Sequence, residues 1–439
     1  MLEALILVLL LPVFAFGSAY AKDNSIRLLQ RAYQRGEIDY QTALNYKVRA
    51  IFNKAALPPE YQSDAPIKTG TYIIREAKRN RQFLDKENSF ILQRPTDPTE
   101  TSPGHPYGSV SLQHYYSPGG HFTITWTYDT NSYSDAISQF PATGGVPNYV
   151  INLANYLEQA WTQEVTTLGY PSPIAPGTRM DVYLLNMSAY GYTNTDNNGI
   201  PYIVIENDFV DLDPTHPVFR NNLASDTLAG AMEVTTAHEF FHTIQLTAYN
   251  PNDPDIWWME ATATWMEDFL HSDVKDYLNY LGRKFNDAND NGKWDSGETI
   301  YQIDGVTPYT GNVTKASKWF DQQSNSLDTF DPTGIFQYGT AIWAKYLTGV
   351  YGNGIIQSIW QRIGKGAGAL QAVSDELASR GSSLASAYRG METALYERDA
   401  AASAIFPDLA SYYPIVMQTA AYTSYPQTAS GALNHMATR

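Results

Sequence analysis

Two histidines and three glutamates are spaced for metal-assisted hydrolysis. In His238-Glu239-Phe240-Phe241-His242 the imidazoles stand at i and i+4. On a helix that is one turn apart on one face, so both rings can reach a single ion. Glu239 projects to the side, where a carboxylate can take a proton from water at the metal. A catalytic zinc takes three protein ligands and leaves one position open. The expected third ligand is Glu260, 18 positions after His242, within Trp257-Trp258-Met259-Glu260-Ala261-Thr262-Ala263-Thr264-Trp265-Met266-Glu267-Asp268, which reads as a second helix. Glu267 is seven residues further on, two turns away on the same face. It is suited to a hydrogen bond that fixes the ring of a ligand histidine, although a solvated helix charge would look the same. Likewise, a helix with two ordinary hydrogen-bonded histidines would show the same five-residue motif.

A second cation site is written in Asp287-Ala288-Asn289-Asp290-Asn291-Gly292-Lys293-Trp294-Asp295-Ser296-Gly297-Glu298. Asp287, Asn289, Asn291 and Asp295 occupy positions 1, 3, 5 and 9 of a twelve-residue EF-hand loop. Lys293 offers its carbonyl at 7, Gly292 the turn at 6, and Glu298 the bidentate carboxylate at 12. A structural calcium ion here would staple a chain that has no cysteine. For the same reason no disulfide, thiolate nucleophile or Cys-based zinc site can form. A polar surface hairpin is the plainer alternative.

The elements that must position these groups follow from periodicity. Asn24 to Ala56 reads as two helices broken at Gly36-Glu37, and Gln93 to Gly104 as a linker rich in Pro, Thr and acid. Residues 22–104 are thus a helical leader, either a propeptide or a plain N-terminal subdomain. His121–Tyr128, Met180–Leu185 and Tyr202–Ile205 read as strands. Asn148–Thr166 and Asp226 to Leu246 read as helices, and the rest is mostly helical. The class is α+β: a mixed-sheet subdomain over 105–250, then a mainly helical subdomain over 251–425, with the motif helix at their junction. Residues 354–400 would cover the back of the cleft. Tyr202–Ile205 precedes the motif helix either as an edge strand able to pair with an extended peptide or as an internal strand.

At the start, Ala4 to Phe16 form an apolar core followed by Ala19-Tyr20-Ala21. Residues 1–21 therefore read as a signal peptide and the chain as secreted, although Glu3 stands where a basic residue is usual. Residues 426–439 read as the entry to a further domain or as a short tail. A hydrophobic fraction of 43% supports a globular core, and a net charge of −16 argues against nucleic-acid partners and against docking to anionic membranes. No stable membrane insertion is expected once the signal is removed.

His-Glu-x-x-His followed by Glu260 at this distance is similar to the gluzincin clan of metallopeptidases. Glu260-Ala261-Thr262-Ala263, with Glu267, looks like that clan's aminopeptidase-type Asn-Glu-Gly-x-Ala segment, with Met259 for Asn and Ala261 for Gly. The thermolysin type has an aspartate where Thr264 stands. Nearer still, over about 105–425, is a group of secreted bacterial metalloproteases with Met-Glu-Ala-Thr-Ala and Met-Glu-Asp segments. The resemblance implies a zincin-like fold, a catalytic zinc and a peptide or protein substrate. Phe336-Gln337-Tyr338-Gly339-Thr340-Ala341 resembles the clan's Tyr-x-x-Gly segment with the glycine displaced. That implies Tyr338 as oxyanion donor, unless it is a core tyrosine, with His271 a weaker candidate. An endopeptidase is the leading expectation. An aminopeptidase would need an acidic anchor for the free amine, for which Glu206 is nearest. A non-catalytic calcium-binding module on a degenerate protease fold is the third reading, and an intact Glu239 counts against it.

Overall fold

Alternation along five strands sets the frame on which the motif helix lies. The computed structural model describes residues 23–65, 67–96, 107, 110–129, 142–209, 227–282 and 336–413, with short stretches between 283 and 335. The strands are β1 (Leu112–Tyr116), β2 (Phe122–Thr127), β3 (Met180–Leu185), β4 (Gly191–Thr195) and β5 (Pro201–Glu206). They form one mixed sheet in the order β1-β2-β3-β5-β4. The two central pairings are parallel and the two outer ones antiparallel. Together with a mainly helical region this makes the chain α+β.

Period-two alternation sends each strand's apolar residues to opposite faces. Val182, Leu184, Ile203 and Ile205 face helices α5 (Asn148–Trp161) and α6 (Thr227–Ile244). Tyr183, Leu185, Tyr202 and Val204 face the leader. The leader contributes α1 (Ser25–Gln34), α2 (Tyr40–Phe52), α3 (Thr71–Arg79) and α4 (Lys86–Ile91). Asn24 and Asp39 cap the first two helices by accepting the Arg27 and Thr42 amides, and Gly36, at φ +72°, takes the left-handed turn between them. Leu29, Leu44, Val48, Ile51, Ile73 and Ile74 are all fully buried in one apolar cluster with these sheet residues. At roughly 1.5–3 kcal/mol for each large apolar side chain, this stripe ties the leader firmly to the rest of the molecule.

One expectation is resolved by the sheet order. The run Tyr202–Ile205 is not an edge: β5 pairs with β3 on one side and β4 on the other. The outer strand beside the motif helix is β4. It approaches α6 so closely that a Cβ on Gly191 would lie 3.0 Å from the Val204 carbonyl oxygen and 3.2 Å from Glu239 Cγ.

The second helical layer begins with α7 (Ile256–Leu270), packed against α6 and against α8 (Ala341–Tyr351). Trp257, Trp258, Trp343 and Trp360 are fully buried here. The last of these lies on α9 (Gly354–Ile363), and its indole N–H donates to Thr262 on α7 at 3.3 Å, so the C-terminal helices back α7. No helix among the described residues is long and apolar enough to cross a membrane. The expected signal peptide, most of the Gln93–Gly104 linker and the tail at 426–439 lie outside the described residues.

The tight crossing at Gly191 makes a stability prediction. Gly191→Ala is expected to cost about 1–3 kcal/mol through overpacking. Gly354→Ala, whose added methyl meets nothing within 4 Å, should be neutral or slightly stabilising. Denaturant midpoints of the two variants check this.

Candidate metal centre

The motif helix ends in a change of pitch that shapes the site. After Ile244 the chain runs through a π-helical turn, Gln245–Tyr249, and stops at Asn250 in the left-handed region, φ 42°. Such turns reset the side-chain register at functional sites. Here the turn accompanies a contact in which Gln245 Oε1 lies 2.6 Å from His242 Nδ1. The Gln245 amide nitrogen is committed to the Met259 carbonyl and the Thr262 hydroxyl, both at 3.1 Å. The oxygen therefore faces the ring and accepts from His242 Nδ1, which leaves Nε2 on the side of Glu260.

His238 is held in the same way from the other side. Its Nδ1 lies 2.6 Å from Glu267 Oε1 on α7. Glu267 is itself paired with the buried ammonium of Lys68 at 3.1 Å, and Lys68 also meets Asp276 at 2.7 Å. With both Nδ1 atoms engaged, both Nε2 atoms point at Glu260: His238 Nε2 is 3.2 Å and His242 Nε2 3.6 Å from its Oε2. Donors about 2.1 Å from a tetrahedral ion stand about 3.4 Å apart, which is the spacing seen.

Two observations say that a cation fits. Among the described residues, His242 Nε2 and Glu260 Oε1 are buried and have no hydrogen-bond partner, a costly state unless something else satisfies them. His238, His242 and Glu260 also each offer one ligand atom within 4.8 Å of the others. Burial would lower the His238 ring and raise the Glu260 carboxyl, but the mutual interactions reverse both. Hydrogen bonds and charge from Glu260 and Glu267 push His238 up to about 10. His242 and His238 pull Glu260 down to about 2. A buried His-His-Glu group that can bind a metal ion is therefore present.

Glu239 stands beside this group, fully buried. Its Oε1 accepts the Thr69 hydroxyl at 2.7 Å, and its Oε2 accepts Thr71 at 2.8 Å and Thr193 at 2.9 Å. The Tyr338 ring lies 6.4 Å from that of His238. Burial, and then the charge of Glu260, hold its hydroxyl well above the usual phenol value, so it stays protonated and able to donate. His271 instead packs edge-on against Tyr156 with Glu233 3.9 Å away, and burial lowers it to about 4. Glu206 is committed to a turn: it accepts the amides of Met187 and Asp208, and that of Phe209. Of the expected calcium ligands, Asp287, Asn289, Asn291, Lys293 and Asp295 lie outside the described residues, and the Glu298 carboxylate accepts the Ala288 amide at 2.8 Å.

Five residues around the centre had not been expected: Gln245, Thr193, Lys68, Thr69 and Thr71. Gln245 was within reach of sequence reading, being at i+3 from a ligand histidine. The others come from distant segments with no local signal. Compared with known protein families and with curated protein sequences, the chain matches none.

Metal binding requires a neutral His238 ring. A ring with its value near 10 is protonated at neutral pH, so binding must displace a proton. Calorimetry near pH 8 in buffers of different ionisation enthalpy should show release of about one proton per metal. Apparent affinity should rise as pH increases and level off above about 10. Gln245→Ala and Glu267→Gln should each weaken metal binding by about 10–100-fold, measured by competition with a chromogenic chelator.

Proposed function

We propose that this chain is a zincin-like zinc peptidase of the gluzincin type, secreted, and acting as an endopeptidase on peptides or proteins. The observation that carries the reading is the convergence of two imidazole Nε2 atoms and the Glu260 carboxylate, with two of the buried donor atoms left unpartnered. Two imidazoles with one carboxylate suit zinc. When bound, the metal supplies Lewis-acid polarisation of a carbonyl and acidity to water.

The chain's own residues supply the remaining chemistry. Glu239, beside the ligands but not among them, takes the proton from the attacking water and hands it to the leaving amine. Tyr338, kept protonated by its burial, donates its hydroxyl to the oxygen on which negative charge develops. Glu267 and Gln245 keep both ligand rings in the metal-binding tautomer. Glu206, fully buried and capping a turn, is not placed to anchor a substrate amine, which favours internal cleavage over aminopeptidase action. Export through residues 1–21 and a structural calcium ion at 287–298 belong to the same reading.

The test measures zinc by elemental analysis and turnover of internally quenched peptides with and without a chelator. Glu239→Gln should keep its zinc and lose about 10²–10⁴ in turnover. Tyr338→Phe should lose about 10²–10³ in kcat with little change in KM. A Glu239→Gln chain that cleaves as well as the parent would overturn the reading, and so would a parent with no zinc. Peptides with blocked and free N-termini separate the two peptidase classes.

A further inference from the structure

Among the described residues, no strand pairs with the outward main-chain groups of β4. Tyr190 turns its carbonyl inward to the Glu206 amide at 2.9 Å, so by alternation the neighbouring odd-numbered residues face out. Such an edge is a template for an extended peptide. Here it is covered by the leader. Gly191 O accepts the Gly70 amide at 2.8 Å, the Thr193 amide donates to Thr71 Oγ1 at 2.9 Å, and Thr195 O accepts from the Lys78 ammonium. Just upstream, Ile67 forms a parallel bridge with Ala189; its amide donates to Ser188 O at 3.0 Å and its carbonyl accepts the Tyr190 amide at 3.1 Å.

The same few residues reach the candidate chemistry. Thr69 and Thr71 are fully buried and place one hydroxyl on each oxygen of Glu239. Between them and Ile67, Lys68 pairs with Glu267, the acid that holds His238. A carboxylate offers about four acceptor positions; the hydroxyls of Thr69 and Thr71 take two, and the single hydroxyl hydrogen of Thr193 is shared between Oε2 at 2.9 Å and the Glu239 main-chain oxygen at 2.7 Å. The base and the edge strand are thus engaged at once by one stretch of five residues, Ile67 to Thr71. The apolar core that α1 to α3 share with the sheet keeps that stretch at high effective concentration.

We propose that residues 67–71 form an intramolecular latch lying where an extended substrate would pair with β4, and that the centre admits a peptide only when this segment is displaced. This rests on the peptidase reading above. It makes the leader an inhibitor of the chain's own site, and it names the substrate's docking surface as the outward edge of Gly191–Thr195. The latched chain binds substrate in proportion to the fraction of molecules in which the edge is open.

The test uses the full chain, loaded with zinc, as parent and as Thr69→Val/Thr71→Val, which keeps side-chain shape and removes both hydroxyls. Turnover of internally quenched peptides, zinc content and hydrogen exchange of segments 67–71 and 191–195 are measured together. The latch predicts a rise of about tenfold or more in kcat/KM, chiefly through KM, with faster exchange in both segments. A fall in turnover, or no change, with zinc and exchange unaltered would overturn it, since the threonines would then be positioning the base. If the double variant does not fold, the two single variants carry the same test, with smaller changes of the same sign. Loss of zinc from every form, parent included, would overturn the peptidase reading and this proposal with it, and it is distinguishable because it appears in the metal content.

Discussion

A carboxylate buried between two imidazoles, with one oxygen lacking any partner, is the constraint on which the rest of the structure depends. Glu260 is fully buried, and so are His238 and His242. Removing a charge from water costs several kcal/mol unless it is paired and hydrogen-bonded. The protein supplies pairing through His238 Nε2 but leaves Glu260 Oε1 and His242 Nε2 unmatched. They belong to a group whose ligand atoms lie within 4.8 Å of one another and that could hold a metal ion.

The surrounding contacts hold that meeting in place while residues 67–71 are latched. From His238 a line of polar contacts runs through Glu267 to Lys68, Asp276 and the hydroxyl of Tyr280. From His242 another runs through Gln245 to Thr262 and the indole of Trp360. The first line ties the motif helix to the leader, the second to the C-terminal helices. Buried polar networks with their partners in place specify one arrangement of the elements around them. The tryptophans of α7 to α9 supply the apolar burial that holds the second helix at the right distance from the first.

What was legible in the sequence is what lies close along the chain. The i, i+4 histidines, the adjacent glutamate and the two-turn spacing of Glu260 and Glu267 are helical geometry, and the side chains meet accordingly. The leader helices were legible from their apolar spacing and from the break at Gly36-Glu37, where Gly36 takes the left-handed turn. The position of Tyr202–Ile205 was not settled, because alternation says which face a residue takes and not which strand is its neighbour. Its unbroken apolar run was nonetheless a sign of burial on both faces, and all six residues of β5 are buried. Thr69 and Thr71 stand 170 and 168 residues from Glu239, and only the folded chain brings them together.

Anomalous diffraction from crystals of the zinc-loaded full chain, collected on both sides of the zinc absorption edge, tests the central claim most directly. The account predicts a single strong peak about 2.0–2.2 Å from the Nε2 atoms of His238 and His242 and from an oxygen of Glu260. A peak elsewhere with these three side chains uninvolved, or none between them at full zinc loading, would contradict it.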